Sequence, residues 1–291
     1  MTTFADVVRT HQPLIVPGVY DGISARVAHA LAFPAVYIGS YATSAATYGI
    51  PDLGYIGLSD MADMTARIAD VVDCPIIVDG ENGWGTALQV ARAIRTIERA
   101  GACAVHIEDH EFGKHLIDEL QVLPLGRAVD KIHAAVDARA DEDFAVIART
   151  DLGGDEAVDR ALAFQTAGAS AIFIAGDMEA AQWDRVRAEV TVPVVTVDSP
   201  QHSADDLAKL GADVILYWGL SVVAALDGLE RALGALKTSA GSLVVGEGLR
   251  DWRSADVFFG INEMRLAAAK YGLTGQSGSS SAPDLRTETE E

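Results

Sequence analysis

The chain has 291 residues, of which 49% are hydrophobic and 22% charged, so it can bury a full core, and α/β barrels of this length commonly fold as one domain. Its formal net charge of −20 argues against a nucleic-acid partner, which is expected to meet a basic surface. It has two cysteines, no apolar run of membrane-spanning length and no basic leader followed by an apolar core. These features predict a cytoplasmic protein with no membrane partner.

Short apolar runs alternate with amphipathic segments along the chain. The runs predict eight strands, near Leu14–Val16, Ala35–Ile38, Pro75–Asp79, Cys103–Glu108, Phe144–Arg149, Ala171–Ala175, Val192–Thr196 and Val214–Tyr217. The intervening segments predict helices, among them Ser24–Ala32, Ser59–Val72, Ala87–Ala100, Arg127–Ala140, Glu156–Ala167 and Ala204–Leu210. Glycines at 101, 168 and 211 are typical of left-handed helix ends that lead into a strand. The repeat predicts a (β/α)8 TIM barrel, with a doubly wound open sheet as the alternative.

Two segments depart from this repeat. Asp109–Gly126 is long for a connection between a strand and its helix, which indicates a functional lid. Near the C-terminus a further helix is expected at about Ala255–Lys270, and Gly275–Glu291 is rich in Gly, Ser, Thr and Glu. We therefore expect one barrel domain over residues 1–274, including the C-terminal helices, and a disordered tail over residues 275–291.

Charged side chains stand at the ends of three consecutive predicted strands: Asp79 and Glu81 after one, Glu108 after the next, and Arg149 after the third. In a barrel the carboxyl ends of the strands carry the active site, so these residues should converge. Carboxylates suit a hard cation such as Mg²⁺, with Mn²⁺ as an alternative, and Arg149 suits a substrate carboxylate. The competing interpretations are that the acids cap helices and that Arg149 forms a buried salt bridge with them.

Six motifs occur in a specific order and spacing. They are Pro17-Gly18-Val19-Tyr20-Asp21, Tyr37-Ile38-Gly39-Ser40-Tyr41, Gly49-Ile50-Pro51-Asp52, Val78-Asp79-Gly80-Glu81-Asn82-Gly83-Trp84-Gly85, His106-Ile107-Glu108-Asp109 and Ala148-Arg149-Thr150-Asp151. Together they make the chain resemble the isocitrate lyase / phosphoenolpyruvate mutase superfamily from about residue 16 to residue 220. The resemblance implies a barrel whose last helix is exchanged with a neighbouring subunit, and dimers that pair into homo-tetramers.

The resemblance also implies roles for particular residues. Mg²⁺ would be held through Asp79, Glu81 and Glu108, and the 2-oxo acid part of the substrate would chelate this ion. The segment Gly39-Ser40-Tyr41 matches the loop whose backbone N–H groups receive a carboxylate or oxyanion. Asp52 matches an acid near the metal, and Tyr37 matches an aromatic wall.

The chain departs from the superfamily pattern at three places. Asp79-Gly80-Glu81 replaces the usual Asp-x-Asp, and no cysteine is present in the lid, where the lyases use one to handle the proton. At the sixth strand, Ala175 stands where lyases have a glutamate and mutases a histidine, which predicts a less polar pocket. His110 and Lys114 are the alternative proton carriers, with Lys114 preferred, unless they belong to an exposed polar loop. Tyr41 is a further candidate, or else packs as an aromatic.

These observations predict a Mg²⁺-dependent carbon–carbon lyase that acts on a small anionic 2-oxo or 2-hydroxy (di)carboxylic acid through an enolate and releases a 2-oxo acid. Oxaloacetate decarboxylation and oxaloacetate hydrolysis share this enolate and stay open as alternatives. A 2-oxo-acid-binding protein with little catalysis is the alternative from another functional class. A phosphonate-forming mutase is disfavoured by Ala175.

Overall fold

Eight parallel strands close into a barrel in the computed structural model, which describes residues 2–111, 121–238 and 251–273. The strands are β1 (Leu14–Val19), β2 (Val36–Ile38), β3 (Ile76–Asp79), β4 (Ala104–Glu108), β5 (Ala145–Thr150), β6 (Ala171–Ile174), β7 (Val194–Val197) and β8 (Val214–Tyr217). Each strand pairs with the next, and β8 pairs with β1. The predicted TIM barrel is confirmed, and the open-sheet alternative is wrong because the sheet has no free edge.

The helices are α1 (Phe4–Thr10), α2 (Gly22–Ala30), α3 (Ser40–Tyr48), α4 (Leu58–Ala69), α5 (Ala87–Arg99), α6 (Leu125–Ala138), α7 (Gly154–Thr166), α8 (Ala180–Glu189), α9 (Ala204–Leu210), α10 (Leu220–Thr238), α11 (Trp252–Phe258) and α12 (Ile261–Lys270). The single predicted C-terminal helix is thus two helices, because Gly260 adopts the left-handed φ of 90° between them. Among the described residues no helix combines the length and the apolar character needed to span a bilayer.

The chain divides into two compact units, Met1–Leu233 and Gly234–Glu291. The first unit contains the whole barrel, and the second contains α11 and α12. The predicted tail over residues 275–291 lies outside the described residues. The expected boundary of a single domain at residue 274 therefore stays a prediction.

Side chains inside the barrel and side chains outside it form separate buried layers. Alternate strand residues such as Tyr37, Ile77 and Phe173 pack in the interior, and Phe4 of α1 joins that cluster, so α1 closes the end at which the strands begin. The residues between them, such as Val78, pack outward against the surrounding helices. Burial on both faces explains why the strands read as continuous apolar runs rather than as alternating ones.

The strand register places the charged strand ends next to one another. Asp79 pairs with His106 across β3 and β4, and Glu108 pairs with Arg149 across β4 and β5. Gly80 permits a close approach there: its N–H donates to the His106 carbonyl at 2.9 Å, and a Cβ at this position would lie 2.5 Å from the same oxygen. A side chain at position 80 would push β3 away from β4 at the point where the acids converge.

The connection after β4 is described at its two ends only. His110 and Val122 form an antiparallel bridge, and the Leu123 N–H donates to the Asp109 carbonyl at 2.7 Å. Arg160 of α7 joins both ends, because it lies 3.0 Å from Asp109 Oδ2 and donates to the Leu123 carbonyl at 2.9 Å. The two described ends of the predicted lid, Asp109–Gly126, are thus held together. Lys114, the preferred candidate for the proton carrier, lies outside the described residues.

Candidate active site

A cavity of about 360 Å³ opens at the carboxyl ends of the strands. It is lined by Tyr37, Gly39, Ser40, Tyr41, Pro51, Asp52, Leu53, Asp79, Arg149, Phe173, Val197, Leu216 and Trp218. The lining includes every substrate-binding residue predicted from the sequence and one of the predicted metal ligands. It also includes apolar residues from β6, β7 and β8 that the sequence analysis did not single out.

Asp79 accepts several hydrogen bonds at this edge. Its Oδ2 accepts from the Ser40 N–H at 3.1 Å, from Ser40 Oγ at 2.9 Å and from the Tyr37 hydroxyl at 3.2 Å, while its Oδ1 accepts from the Glu81 N–H at 2.8 Å. Ser40 is the first residue of α3, where N–H groups lack helical acceptors and the helix dipole favours negative charge. The local structure therefore holds a carboxylate at Asp79 in a fixed orientation.

This arrangement changes the interpretation of Gly39-Ser40-Tyr41. The sequence predicted a loop whose N–H groups receive the substrate, but Gly39 is the N-cap of α3, and the Ser40 N–H is directed to Asp79. The Ser40 hydroxyl lies within hydrogen-bond distance of both Asp79 and Asp52, at 2.9 and 3.0 Å. Ser40 thus ties the two acids together.

Tyr37 is buried below Asp79. Its hydroxyl lies 2.9 Å from His106 Nε2, and the two rings stack with their centroids 5.8 Å apart. Burial, followed by the negative charge of Asp79, raises the pKa of Tyr37 well above its ordinary value. The phenol therefore keeps its proton and serves as a hydrogen-bond donor and as part of the cavity wall.

Two overlapping groups of side chains could hold a metal ion. Asp79, His106 and Glu108 form one, and Glu81, Glu108 and His110 form the other; within each group the ligand atoms lie within 4.8 Å of one another, and all five residues are buried. Glu108 belongs to both groups. The structure therefore brings the three predicted ligands into one cluster and adds two histidines.

His110 has the orientation of a metal-binding histidine. Its Nδ1 lies 2.6 Å from the Glu111 carbonyl, to which it donates, and its Nε2 contacts Glu108 Oε2. The donor set of carboxylate oxygens and imidazole nitrogens therefore fits a divalent ion.

Glu81 has a left-handed backbone, with φ of 47°. This conformation is uncommon for a residue with a side chain, and it persists where the surrounding structure imposes it. With this backbone conformation, the Glu81 carboxylate lies close to the Glu108 carboxylate, and Asp79 lies two residues earlier in the sequence. Glu81 stands where the superfamily usually has an aspartate, and its longer side chain still lies within the acidic cluster.

Arg149 forms the buried salt bridge that one interpretation of the sequence expected, and its contact with substrate stays a prediction. Its guanidinium lies 2.6 Å from Glu108 Oε1 and 2.7 Å from Asp151 Oδ1, and it stacks over the ring of Phe173 at 4.7 Å. Burial works to lower the pKa of Arg149, but Glu108 and Asp151 outweigh it and hold the pKa well above its ordinary value. Arg149 is therefore a salt-bridge partner that also lines the cavity.

The remaining candidates lie around the rim. Tyr41 packs edge to face against Trp218, with ring centroids 4.9 Å apart. It therefore packs as an aromatic residue and also lines the cavity. His110 stands at the base of the connection after β4. The apolar lining residues occupy inward-facing positions near predicted strand ends, and this position was their only indication in the sequence. Apolar residues at such positions cannot be distinguished there from ordinary core residues.

A barrel with an acidic cluster that could hold a metal ion, and with an arginine beside one small cavity, suits an enzyme that acts on small carboxylic acids. The family model described as phosphoenolpyruvate phosphomutase matches residues 4–237. The chain belongs to this family, and its predicted place in the isocitrate lyase / phosphoenolpyruvate mutase superfamily is confirmed.

Two curated relatives and two solved structures show which proteins this chain is similar to. The chain is 33% identical to a 2-methylisocitrate lyase of Vibrio cholerae over 74% of this chain and 75% of the relative. It is 34% identical to an oxaloacetate decarboxylase of Rhodopseudomonas palustris over 76% of this chain and 79% of the relative. These relatives bear out the prediction of a carbon–carbon lyase.

The solved structures have a similar fold over most of this chain. A 2,3-dimethylmalate lyase superposes with a TM-score of 0.84 at 27% identity, covering 94% of this chain and 96% of that one. A phosphonopyruvate hydrolase in complex with oxalate and Mg²⁺ superposes with a TM-score of 0.82 at 28% identity, covering 91% of this chain and 96% of that one.

Proposed function

We propose that the protein is a Mg²⁺-dependent lyase that cleaves a carbon–carbon bond in a small 2-oxo or 2-hydroxy dicarboxylic acid and releases a 2-oxo acid. The observation that carries this proposal is one cavity lined both by Asp79 of the buried carboxylate cluster and by the Arg149 guanidinium beside that cluster. Such a cavity would offer an anionic substrate a metal ion and a fixed guanidinium close to each other.

Asp79, Glu81 and Glu108 would hold the ion, and His110 lies beside them. When bound, the ion would supply Lewis-acid stabilisation of the negative charge that develops as the bond breaks. Carboxylate oxygens favour Mg²⁺, and the imidazole nitrogen also suits Mn²⁺. The related phosphonopyruvate hydrolase, solved with oxalate and Mg²⁺, supports this choice of ion and ligand.

The protein's own groups would orient the substrate. Arg149 is fixed by Glu108, Asp151 and Phe173, so it can receive a substrate carboxylate without first losing side-chain freedom. Tyr37 keeps Asp79 in place through its protonated hydroxyl, and Ser40 couples Asp79 to Asp52. These contacts keep the acidic cluster preorganised before the substrate enters.

Cleavage leaves a carbanion fragment that must take up a proton on the carbon that lost its bond. We propose His110 and Lys114 as the proton carriers and Tyr41 as a group that contacts the substrate at the rim. His110 lies at the base of the connection that carries Lys114 in sequence. Closure of that connection would exclude water from the carbanion.

Decarboxylation of oxaloacetate is the second candidate, because the oxaloacetate decarboxylase of Rhodopseudomonas palustris is as similar to this chain as the 2-methylisocitrate lyase is. The two reactions break different bonds but use the same kind of site. The products separate them: a decarboxylase releases carbon dioxide, and a lyase of larger acids releases two organic acids.

We also propose a cytoplasmic homo-tetramer, built as a dimer of dimers with exchanged C-terminal helices. Supporting this, α10 exposes Leu220, Leu226, Leu229 and Leu233, and a neighbouring subunit would cover such a face. Light scattering after size-exclusion chromatography gives the mass directly. A monomer at micromolar concentration would contradict the assembly without affecting the assignment of the site.

The function is tested by assaying 2-oxo acid and carbon dioxide formation with Mg²⁺, with Mn²⁺ and after chelation by EDTA. Asp79→Ala should abolish metal-dependent turnover, because it removes a carboxylate that four donor contacts orient. Asp159→Ala is the matched control, since Asp159 is an exposed acid paired with Arg185 on the surface. Undiminished activity of Asp79→Ala would refute the site, and ligand-induced thermal stabilisation without any turnover would favour a binding protein.

A further inference from the structure

The cavity has an apolar wall that faces the acidic cluster. Phe173, Val197 and Leu216 come from β6, β7 and β8, which lie across the closed barrel from β3 and β4. Trp218, packed edge to face against Tyr41, continues this wall beyond the end of β8. A substrate held at the acidic cluster therefore directs its remaining atoms toward hydrocarbon.

The charges around the cavity limit how many carboxylates it can take. Of the described residues that line it, Arg149 alone carries a permanent positive charge, and its guanidinium is already shared between Glu108 and Asp151. Asp52 and Asp79 are the other charged lining residues, and both are acids. One substrate carboxylate can reach the ion and one can reach Arg149, but a third would meet either an acid or the apolar wall.

We infer that the substrate is a malate-type dicarboxylic acid with an alkyl substituent on C3, and that Phe173, Val197 and Leu216 select against a third carboxylate. This inference rests on the proposed function, because the proposed ion and Arg149 fix the orientation of the acid. Binding of an alkyl group is favoured, because its apolar surface leaves water and packs against these side chains. An ionised carboxylate in the same place loses its hydration against three side chains that carry no hydrogen-bond donor.

A matched set of four acids tests the inference: malate, 3-methylmalate, 3-isobutylmalate and isocitrate. Isocitrate is malate with a carboxymethyl group on C3, and the isobutyl group has nearly the same shape without the charge. Binding with Mg²⁺ is measured by calorimetry, and turnover is measured by 2-oxo acid formation. We expect the methyl group to improve binding several-fold over malate and the isobutyl acid to exceed isocitrate by roughly 100-fold.

Val197 provides a matched pair of variants. Val197→Arg places a cation in the apolar wall, so the affinity for isocitrate should increase relative to the affinity for 3-isobutylmalate by about tenfold or more. Val197→Leu keeps the wall apolar and should keep the order of preference of the natural protein. Circular dichroism establishes that both variants are folded, and the comparison within the natural protein needs neither of them.

The outcomes separate this inference from the proposed function. Turnover with isocitrate preferred over the alkyl acids would overturn the inference and leave the lyase assignment standing. Binding in the expected order without turnover would support the inference and overturn the assignment. If no acid of the set binds in the presence of Mg²⁺, the inference is wrong, whereas the proposed function is then decided by the assay with 2-oxo acids such as oxaloacetate.

Discussion

Replacing Arg149 by methionine tests whether the acidic cluster depends on this guanidinium. The side chain is 14% exposed and bridges Glu108, which is 1% exposed, and Asp151, which is 17% exposed. Methionine retains much of the length that packs on Phe173 but removes the charge and both ionic contacts. Glu108 would then be a buried carboxylate beside other acids.

The size of the effect follows from this burial. Removing one partner of a buried ion pair typically destabilises a protein by about 3–5 kcal/mol, because the other charge is left uncompensated. For a domain of this size the melting temperature would fall by roughly 10 °C. The same change removes a positive charge next to the proposed metal site, so affinity for Mg²⁺ should increase by about tenfold. Mg²⁺ should therefore stabilise Arg149→Met more than it stabilises the natural protein.

Urea unfolding and thermal melting, each with EDTA and with saturating Mg²⁺, measure these effects. Arg185→Met is the matched control, because Arg185 also bridges several acids but does so on the surface. Its loss should cost about 1 kcal/mol or less, with no dependence on Mg²⁺. Equal effects of the two substitutions, or a weaker response of Arg149→Met to Mg²⁺, would show that Arg149 does not compensate the cluster.

Three further results are expected. Glu81→Gly should be about 1 kcal/mol more stable to urea than Glu81→Ala, because only glycine accepts the φ of 47° without strain, and both should lose Mg²⁺ affinity in calorimetry. Arg160→Met should cost about 3 kcal/mol in urea unfolding because it leaves Asp109 buried without its cation, whereas Arg160→Lys should cost less. Burial raises the pKa of Cys103 to about 12, so alkylation by iodoacetamide should be slow at pH 8 and accelerate with rising pH in the folded protein; rapid labelling of folded protein at pH 8 would contradict this burial.

The barrel and the acidic strand ends were predictable because both depend on short-range patterns. Each strand is a short apolar run between turn residues, and parallel strands in a closed barrel necessarily bring their carboxyl ends to one edge. Asp79, Glu108 and Arg149 end three consecutive strands, so their meeting follows from the topology alone.

The short helices and the exact partners were not predictable in the same way. α3 has the sequence Ser40–Tyr48, rich in small and hydroxyl-bearing residues, and it contains a weak apolar period. The sequence analysis described only Gly39-Ser40-Tyr41, as a loop, and assigned no helix here, so it did not predict the direction of the Ser40 N–H toward Asp79. A hydrogen bond of this kind depends on where a helix begins in three dimensions, which the spacing of residues in sequence does not determine.

The acidic cluster and the apolar wall also differ in how visible they are in sequence. A buried carboxylate is costly unless it is paired or binds a cation, so each acid at a strand end needs a physical reason and attracts attention. Phe173 and Leu216 need no such reason, because apolar residues are expected inside a barrel. The chemistry of the site is thus readable from polar residues, whereas the preference among substrates depends on apolar ones whose role is defined only by the cavity they face. The four-acid comparison measures that preference directly, since it holds the reacting part of the substrate constant and changes only the group that meets the wall.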